Sequence, residues 1–497
     1  MKQQYPTLEK PANIALFTGG IGCLTVLGHY VYYYAWTGQR YFVDMRGVIF
    51  CYVVPAVAAI ALLSSLFMKQ LTKIKVFVIV LSVGFSLFLM NLLIPVYAHA
   101  VTAGRRSLNS SSKEDLIEAK SIAAKSGIAF DTRSRLEVVL DFEKRGVKAV
   151  PVVVPNALLQ KPGNVSRHSV IRINDVEVLP VAGISNVFTV NCNENGAYAT
   201  YLSDEHGFNN PKGLWNRESM EVVAIGDSFT HGACVPTDQS FAGLVRKRFP
   251  ETLNLGVPGL GPLFELLTLM EYAKPFKPKV VLWFFFEGND IINLLYERES
   301  PLLMRYLNED FSQNLSIRQE ELDRAMESYV ESEKNRQLEL ERSLKNQPLA
   351  PRFLKVSYDY FRDFAGLRHL RQSLLGSGGR FANDFSELNN ERDARRLFGE
   401  IMKKSRDIVD EGGGKLYFVY LPQREQYGYP DNTVKVRDWI MPLIDSLGIP
   451  VIDMHTVFLE HGDPLSFYAL RRMDHFNLAG HQKVAETVVH RILQDSR

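Results

Sequence analysis

Three side chains are of the types that acyl transfer uses: Ser228, His475 and, beside the histidine, Asp474. Acyl transfer from an ester needs a hydroxyl nucleophile, a base to take its proton and donors aimed at the developing oxyanion. Ser228 closes the stretch Gly226-Asp227-Ser228, and the aliphatic run before it, Val222 to Ile225, reads as a buried strand. Gly232 then allows a tight turn before a helix-like stretch from Ser240 to Arg248. A serine at the carboxyl end of a strand, opening toward a helix, stands where α/β folds place their chemistry. Taken alone, the same serine reads equally well as a helix N-cap.

Three later stretches decide between these readings. Asn254-Leu255-Gly256-Val257-Pro258-Gly259 follows a short strand, and Gly288-Asn289-Asp290 follows the apolar run Val280 to Phe286. Asp474-His475-Phe476-Asn477-Leu478-Ala479-Gly480-His481 leads into a closing helix. In this order the four stretches resemble the SGNH hydrolase superfamily, over about residues 219–497. The resemblance implies Ser228 as nucleophile and His475 as base. It also implies an oxyanion hole made by the backbone N–H groups of Ser228 and Gly259 and the side-chain amide of Asn289. Glycine suits position 259 because the backbone must approach the substrate closely. His481 takes a structural place in this pattern. His231 lies near Ser228 in sequence, but adjacency along a chain does not orient an imidazole.

One departure matters. The family commonly places its orienting aspartate three residues before the histidine, and Arg472 stands there. Asp474 is the nearest carboxylate, although neighbouring side chains on an extended segment point opposite ways. A Ser–His dyad, or an aspartate from elsewhere, stays open beside it.

The elements that must position these groups alternate. Strands are expected at Val222–Ile225, Thr252–Leu255, Val280–Phe286, Lys415–Tyr420 and Pro450–Met454, with helices that include Pro262–Ala273, Asn390–Glu411 and Val434–Leu447. Such alternation predicts a parallel sheet covered on both faces, here of the flavodoxin-like α/β class that the resemblance implies. A charge-dense stretch from Ser316 to Lys345 reads as a solvated helix inside an insertion near 316–385. Residues 106–218 form a small mixed α and β lead-in. Helical spacing marks Arg133 to Lys144, and a short edge strand carries Pro151. Two hairpins are predicted there, turning at Asn174-Asp175 and at Asn195-Gly196.

The first 105 residues read as a membrane anchor. Residues 13–36, 47–68 and 76–98 are apolar segments without Asp, Glu, Lys or Arg, each near the ~20 residues a membrane helix needs. Lys2, Lys10, Lys69, Lys73 and Lys75 fall on one side and Arg40 and Arg46 on the other, which predicts three transmembrane helices with the long C-terminal part outside. Arg105 and Arg106 argue mildly against that orientation. Cys192 and Cys234 are the two cysteines of the extramembrane part and a candidate disulfide there. The net charge of +2 gives no sign of a nucleic-acid partner. The histidines and cysteines lack ligand spacing, so neither metal nor cofactor is expected.

Together these features predict a membrane-anchored serine esterase outside the cytoplasm, multi-pass in the membrane. Its expected substrates are O-acyl esters, acetyl foremost, of a surface polysaccharide. An O-acyltransferase working with a membrane partner is the alternative, and a lipid ester is a further substrate class. A non-catalytic glycan-binding or assembly protein with a degraded triad is the rival that Arg472 suggests.

Overall fold

A computed structural model describes residues 6–37, 52–82, 113–125, 127–161, 166–346, 388–428 and 436–497. The chain divides into two compact units, residues 1–103 with 347–379, and residues 104–346 with 380–497.

In the first unit, helix α1 spans Pro6–Thr37 and helix α2 spans Val54–Ser65. The expectation of three transmembrane helices is not met: among the described residues, no helix is long and apolar enough to cross a membrane. α1 has 32 residues, with glycines, threonines, His29 and tyrosines among its apolar ones. α2 has the apolar character but only 12 residues, about 18 Å at ~1.5 Å per residue against the ~30 Å of a bilayer core. It ends in a turn at Leu66–Met68, the last three residues of the second expected span, whose first five, 47–51, lie outside the described residues. The third is helical from 76 to 82, and the rest of it lies outside the described residues.

The second unit begins with helices α3 (Lys113–Lys125) and α4 (Arg135–Lys144). α4 starts with a capping box, Ser134 accepting from Glu137 N while the Glu137 side chain accepts from Ser134 N. A three-stranded sheet follows. Its middle strand β2 (Phe188–Val190) pairs in parallel with β1 (Ala149–Pro151) and antiparallel with β3 (Thr200–Leu202). Pro151 thus sits on an edge, where no ladder donor is required of it. Asn174 and Asp175 turn a two-residue ladder with φ of 52° and 63°, the double positive φ of a type I′ turn. The second predicted hairpin differs. Its pairing ends at Asn191, Cys192 and Ala199, and residues 193–198 leave the ladder as a loop rather than a two-residue turn.

The main sheet has five parallel strands, β4 (Val222–Ile225), β5 (Thr252–Asn254), β6 (Val280–Phe286), β7 (Lys415–Leu421) and β8 (Val451–Asp453). Their spatial order is β8-β7-β6-β4-β5. Numbered from β4, that is the 2-1-3-4-5 order of a doubly wound flavodoxin-like sheet. Side chains of β6 alternate between two cores, as the strand period dictates: Val281, Trp283 and Phe285 join one, and Leu282, Phe284 and Phe286 the other. The crossover at β4 is the switch point of this topology, and the predicted serine stands there.

Candidate active site

β4 ends at Gly226-Asp227, and Ser228 opens the short helix α5 (Ser228–His231). Asp227 caps that helix, its Oδ1 accepting from Phe229 N at 2.9 Å. Gly226 adopts φ 155°, and a Cβ there would stand 2.3 Å from Thr230 Oγ1 and 2.7 Å from the Phe284 carbonyl oxygen. The turn that exposes Ser228 therefore has no room for a side chain at 226.

His475 arrives from the far end of the chain, just before the closing helix Leu478–Asp495. Its Nε2 lies 2.8 Å from Ser228 Oγ. Its Nδ1 lies 2.8 Å from Glu194 Oε1, and its backbone N–H donates to Glu194 Oε2 at 2.9 Å. The carboxylate at Nδ1 is thus Glu194 and not Asp474; Asp474 contributes to the site as a nearby negative charge. Glu194 sits in the 193–198 loop where the predicted tight turn stood, 281 residues before the histidine it holds. Its side chain is only 5% exposed, and that of His475 is 20% exposed.

Two covalent and hydrogen-bonded ties bring Glu194 to this place. Cys192 and Cys234 form a disulfide with Cα atoms 4.9 Å apart, joining the glutamate's loop to the chain just after the serine. Asn193 Nδ2 donates to the Asp131 carbonyl and its Oδ1 accepts from Gly196 N, which fixes the loop from the other side. The sequence signal that could have found Glu194 was this pairing, since one cysteine lies two residues before the glutamate and the other six after the serine. Glu194, Cys234 and His475 also lie close enough to suggest metal ligands, but the Cys234 sulfur is committed to the disulfide.

Burial pulls the His475 imidazole down, but Glu194, by charge and hydrogen bond, and then Asp474 and Asp227 outweigh it and lift it to about 9. Burial pushes the Asp227 carboxyl up, against hydrogen bonds from Phe229, Asn289 and Ser228 and the charge of His475. The Phe229 ring, 5.0 Å from the His475 ring and 4.1 Å from Phe286, walls the imidazole on one side.

The expected oxyanion donors occupy two neighbouring loops. Asn289 follows β6 and stands just before helix α8 (Asp290–Glu297), without a side-chain cap to it; its Nδ2 donates to Asp227 Oδ2 at 3.2 Å, one residue from the serine, which leaves its second N–H to give. Gly259 is third in the turn Val257-Pro258-Gly259-Leu260, closed by Leu260 N to the Val257 carbonyl at 3.3 Å. With proline second and φ 78° at the glycine, the turn has the type II pattern. Val257 N donates to the Gly226 carbonyl at 3.2 Å, which sets this loop against the one that carries Ser228. The other two histidines are held elsewhere. His481 Nδ1 accepts from Phe241 N at 3.2 Å, and His231 Nδ1 lies 3.3 Å from Asn191 Nδ2. Burial drives both imidazoles down to about 3, so each stays neutral and structural.

No protein-family model matches the chain, and no curated protein does. Among solved structures it is similar to a lipase/acylhydrolase from Enterococcus faecalis, at 13% identity over 55% of this chain and 95% of that one, with a TM-score of 0.30. A putative lipolytic protein of the G-D-S-L family from Desulfitobacterium hafniense DCB-2 is 14% identical over 54% and 97%, with a TM-score of 0.28. LAE5, an alpha/beta hydrolase enzyme from the metagenome of Lake Arreo, Spain, is 15% identical over 56% and 97%, with a TM-score of 0.29. Likenesses of this strength carry no argument about activity, which must come from the site.

Proposed function

We propose that the chain is a serine esterase of the SGNH type, acting through an acyl-enzyme on Ser228. The observation that carries this reading is the continuous line Ser228 Oγ, His475 Nε2, His475 Nδ1, Glu194 Oε1, with both contacts at 2.8 Å. In its neutral form His475 takes the Oγ proton while Oγ attacks the acyl carbon. The oxyanion forms beside Ser228 N–H, Gly259 N–H and the Asn289 amide, and Glu194 holds the imidazolium in place. Collapse breaks the ester C–O bond, and the imidazolium returns its proton to the departing alcohol. Water, deprotonated by the same imidazole, then releases the acid.

A sugar hydroxyl in place of that water would make the same chain an O-acyltransferase, since the two reactions share the acyl-enzyme. O-acyl esters of a glycan are the substrate class that the resemblance implies. The buried disulfide supports an oxidising compartment, outside the cytoplasm. A degraded, merely binding version of the fold was suggested by Arg472, and a carboxylate at Nδ1 from another part of the chain removes that reason.

The test compares the full chain with Ser228→Ala, using p-nitrophenyl acetate turnover and labelling by a fluorophosphonate. Labelling and turnover that both vanish in the variant support the esterase. Labelling with negligible turnover that a glycan hydroxyl restores supports the transferase. An intact chain that does not label would refute the catalytic reading.

A further inference from the structure

The turn that offers Gly259 N–H is gripped from two directions by residues with no part in the line of proton transfer. From the lead-in, Asn156 Nδ2 donates to the Gly259 carbonyl at 2.6 Å. Val154 packs so closely that a Cβ on Gly259 would stand 2.5 Å from its Cγ1. From α8, Asn293 and Glu297 lie one helical turn apart, on one face. Asn293 Nδ2 donates to the Leu260 carbonyl at 3.1 Å. Glu297 Oε1 accepts from Gly261 N at 2.6 Å, and its Oε2 accepts from Leu263 N at 3.0 Å. Glu297 is fully buried, and the Asn156 amide adds to the donors around it. The buried Glu297 carboxyl thus faces backbone N–H groups at the start of α7 (Pro262–Thr268). Helix α8 begins just after Asn289, one expected oxyanion donor, and ends at Glu297, which holds the turn bearing the other.

We propose that Asn156 and Glu297 are positioning residues that aim the Gly259 N–H at the oxyanion, with α8 setting both side-chain and backbone donors as one rigid piece. The inference builds on the esterase reading above. Its physical content is that the donor's direction, rather than its presence, is what these residues supply. A donor displaced by about 1 Å loses on the order of 100-fold in rate without weakening ground-state binding.

The experiment measures kcat, KM and the affinity of phenylboronic acid, which forms a tetrahedral adduct on an active serine, for the full chain, Asn156→Ala, Glu297→Gln and Ser228→Ala. Asn156→Ala is expected to lower kcat by about 10- to 100-fold, leave KM within about twofold and weaken the boronate by a factor matching the loss in kcat. Glu297→Gln should show the same split with a greater loss, because glutamine offers one acceptor oxygen where Gly261 N and Leu263 N each donate to a separate one. Asn156 is only half-buried, so its variant is the one that stays folded if the glutamate's does not. Unchanged kcat and boronate affinity in a folded Asn156→Ala would overturn the proposal while leaving the esterase standing. Turnover that survives in Ser228→Ala would instead sink the esterase reading itself.

Discussion

Replacing Glu194 by glutamine keeps an oxygen at the His475 Nδ1 position and removes the charge. The imidazole lies at about 9 against an ordinary 6.5, with the glutamate its leading upward influence. That difference corresponds to about 3 kcal/mol, at ~1.4 kcal/mol per tenfold step in proton affinity. Without the charge, burial is left as the dominant influence, and the imidazole should fall to or below 6.5. Two effects on rate follow, and they oppose each other. Loss of the orienting carboxylate removes stabilisation of the imidazolium in the transition state, about 10,000-fold in related Ser–His–carboxylate machinery. Yet at pH 7 a base titrating near 9 is neutral in only about one molecule in a hundred, and the variant regains that factor. The expected result is a kcat/KM profile whose rising limb moves from about 9 to below 7, with a deficit of about 100-fold at pH 7 that grows toward 10,000-fold at pH 10. Initial rates of p-nitrophenyl ester hydrolysis across pH 5–10 measure both. A limb that stays near 9, or a deficit equal at all pH values, would refute the assignment of Glu194 to the imidazole.

Asp474→Asn should move the same limb only slightly downward and cost far less rate than Glu194→Gln, because Asp474 acts on His475 at a distance and does not hold Nδ1. The double change Cys192→Ser with Cys234→Ser opens a cross-link between residues 42 apart, a loss of about 4 kcal/mol on the chain-entropy account. Chemical denaturation should report that loss, and kcat should fall with it because the glutamate's loop is released. Gly259→Ala places a Cβ at φ 78° and 2.5 Å from Val154 Cγ1, so kcat should drop on the order of 100-fold. Adding Val154→Ala should restore part of it, by removing the clash but not the backbone strain. Thermal stability should decline as pH rises from about 6.5 to 9. His475, lifted to about 9, contributes stability present below 6.5 and lost as pH climbs through its folded value. Glu297, pushed by burial from an ordinary 4.5 to about 8, gives stability present below 4.5 and lost as pH climbs to about 8, so it adds to the first part of the decline. A melting midpoint that rises across that range in differential scanning calorimetry would contradict both assignments.

Local chemistry made much of this protein legible in one dimension. Runs of apolar residues ending in Gly-Asp-Ser or Gly-Asn-Asp fix strands and the turns after them, since burial and backbone freedom act over a few residues. Val280–Phe286 is a strand in the sequence reading and in the structure with the same limits. The order of the four motifs placed Ser228, Gly259, Asn289 and His475 at the ends of elements, and three of the four follow strands of one sheet. Apolar content alone misled at the N-terminus, because crossing a bilayer needs length and apolarity in one unbroken helix, and no helix among the described residues supplies both. The carboxylate behind the histidine was beyond reach for a different reason. Sequence proximity favoured Asp474, but orientation of an imidazole is set in space, and a loop 281 residues upstream, tied by a disulfide, brings Glu194 to Nδ1. The same holds for the grip of Asn156 on Gly259, across 103 residues. The sequence by itself determined the types of reactive group and the strand ends that present them, because both depend on neighbours along the chain. Only the tertiary structure decided which carboxylate meets the His475 imidazole and what holds the Gly259 turn, because those contacts join segments that nothing in the chain's order brings together.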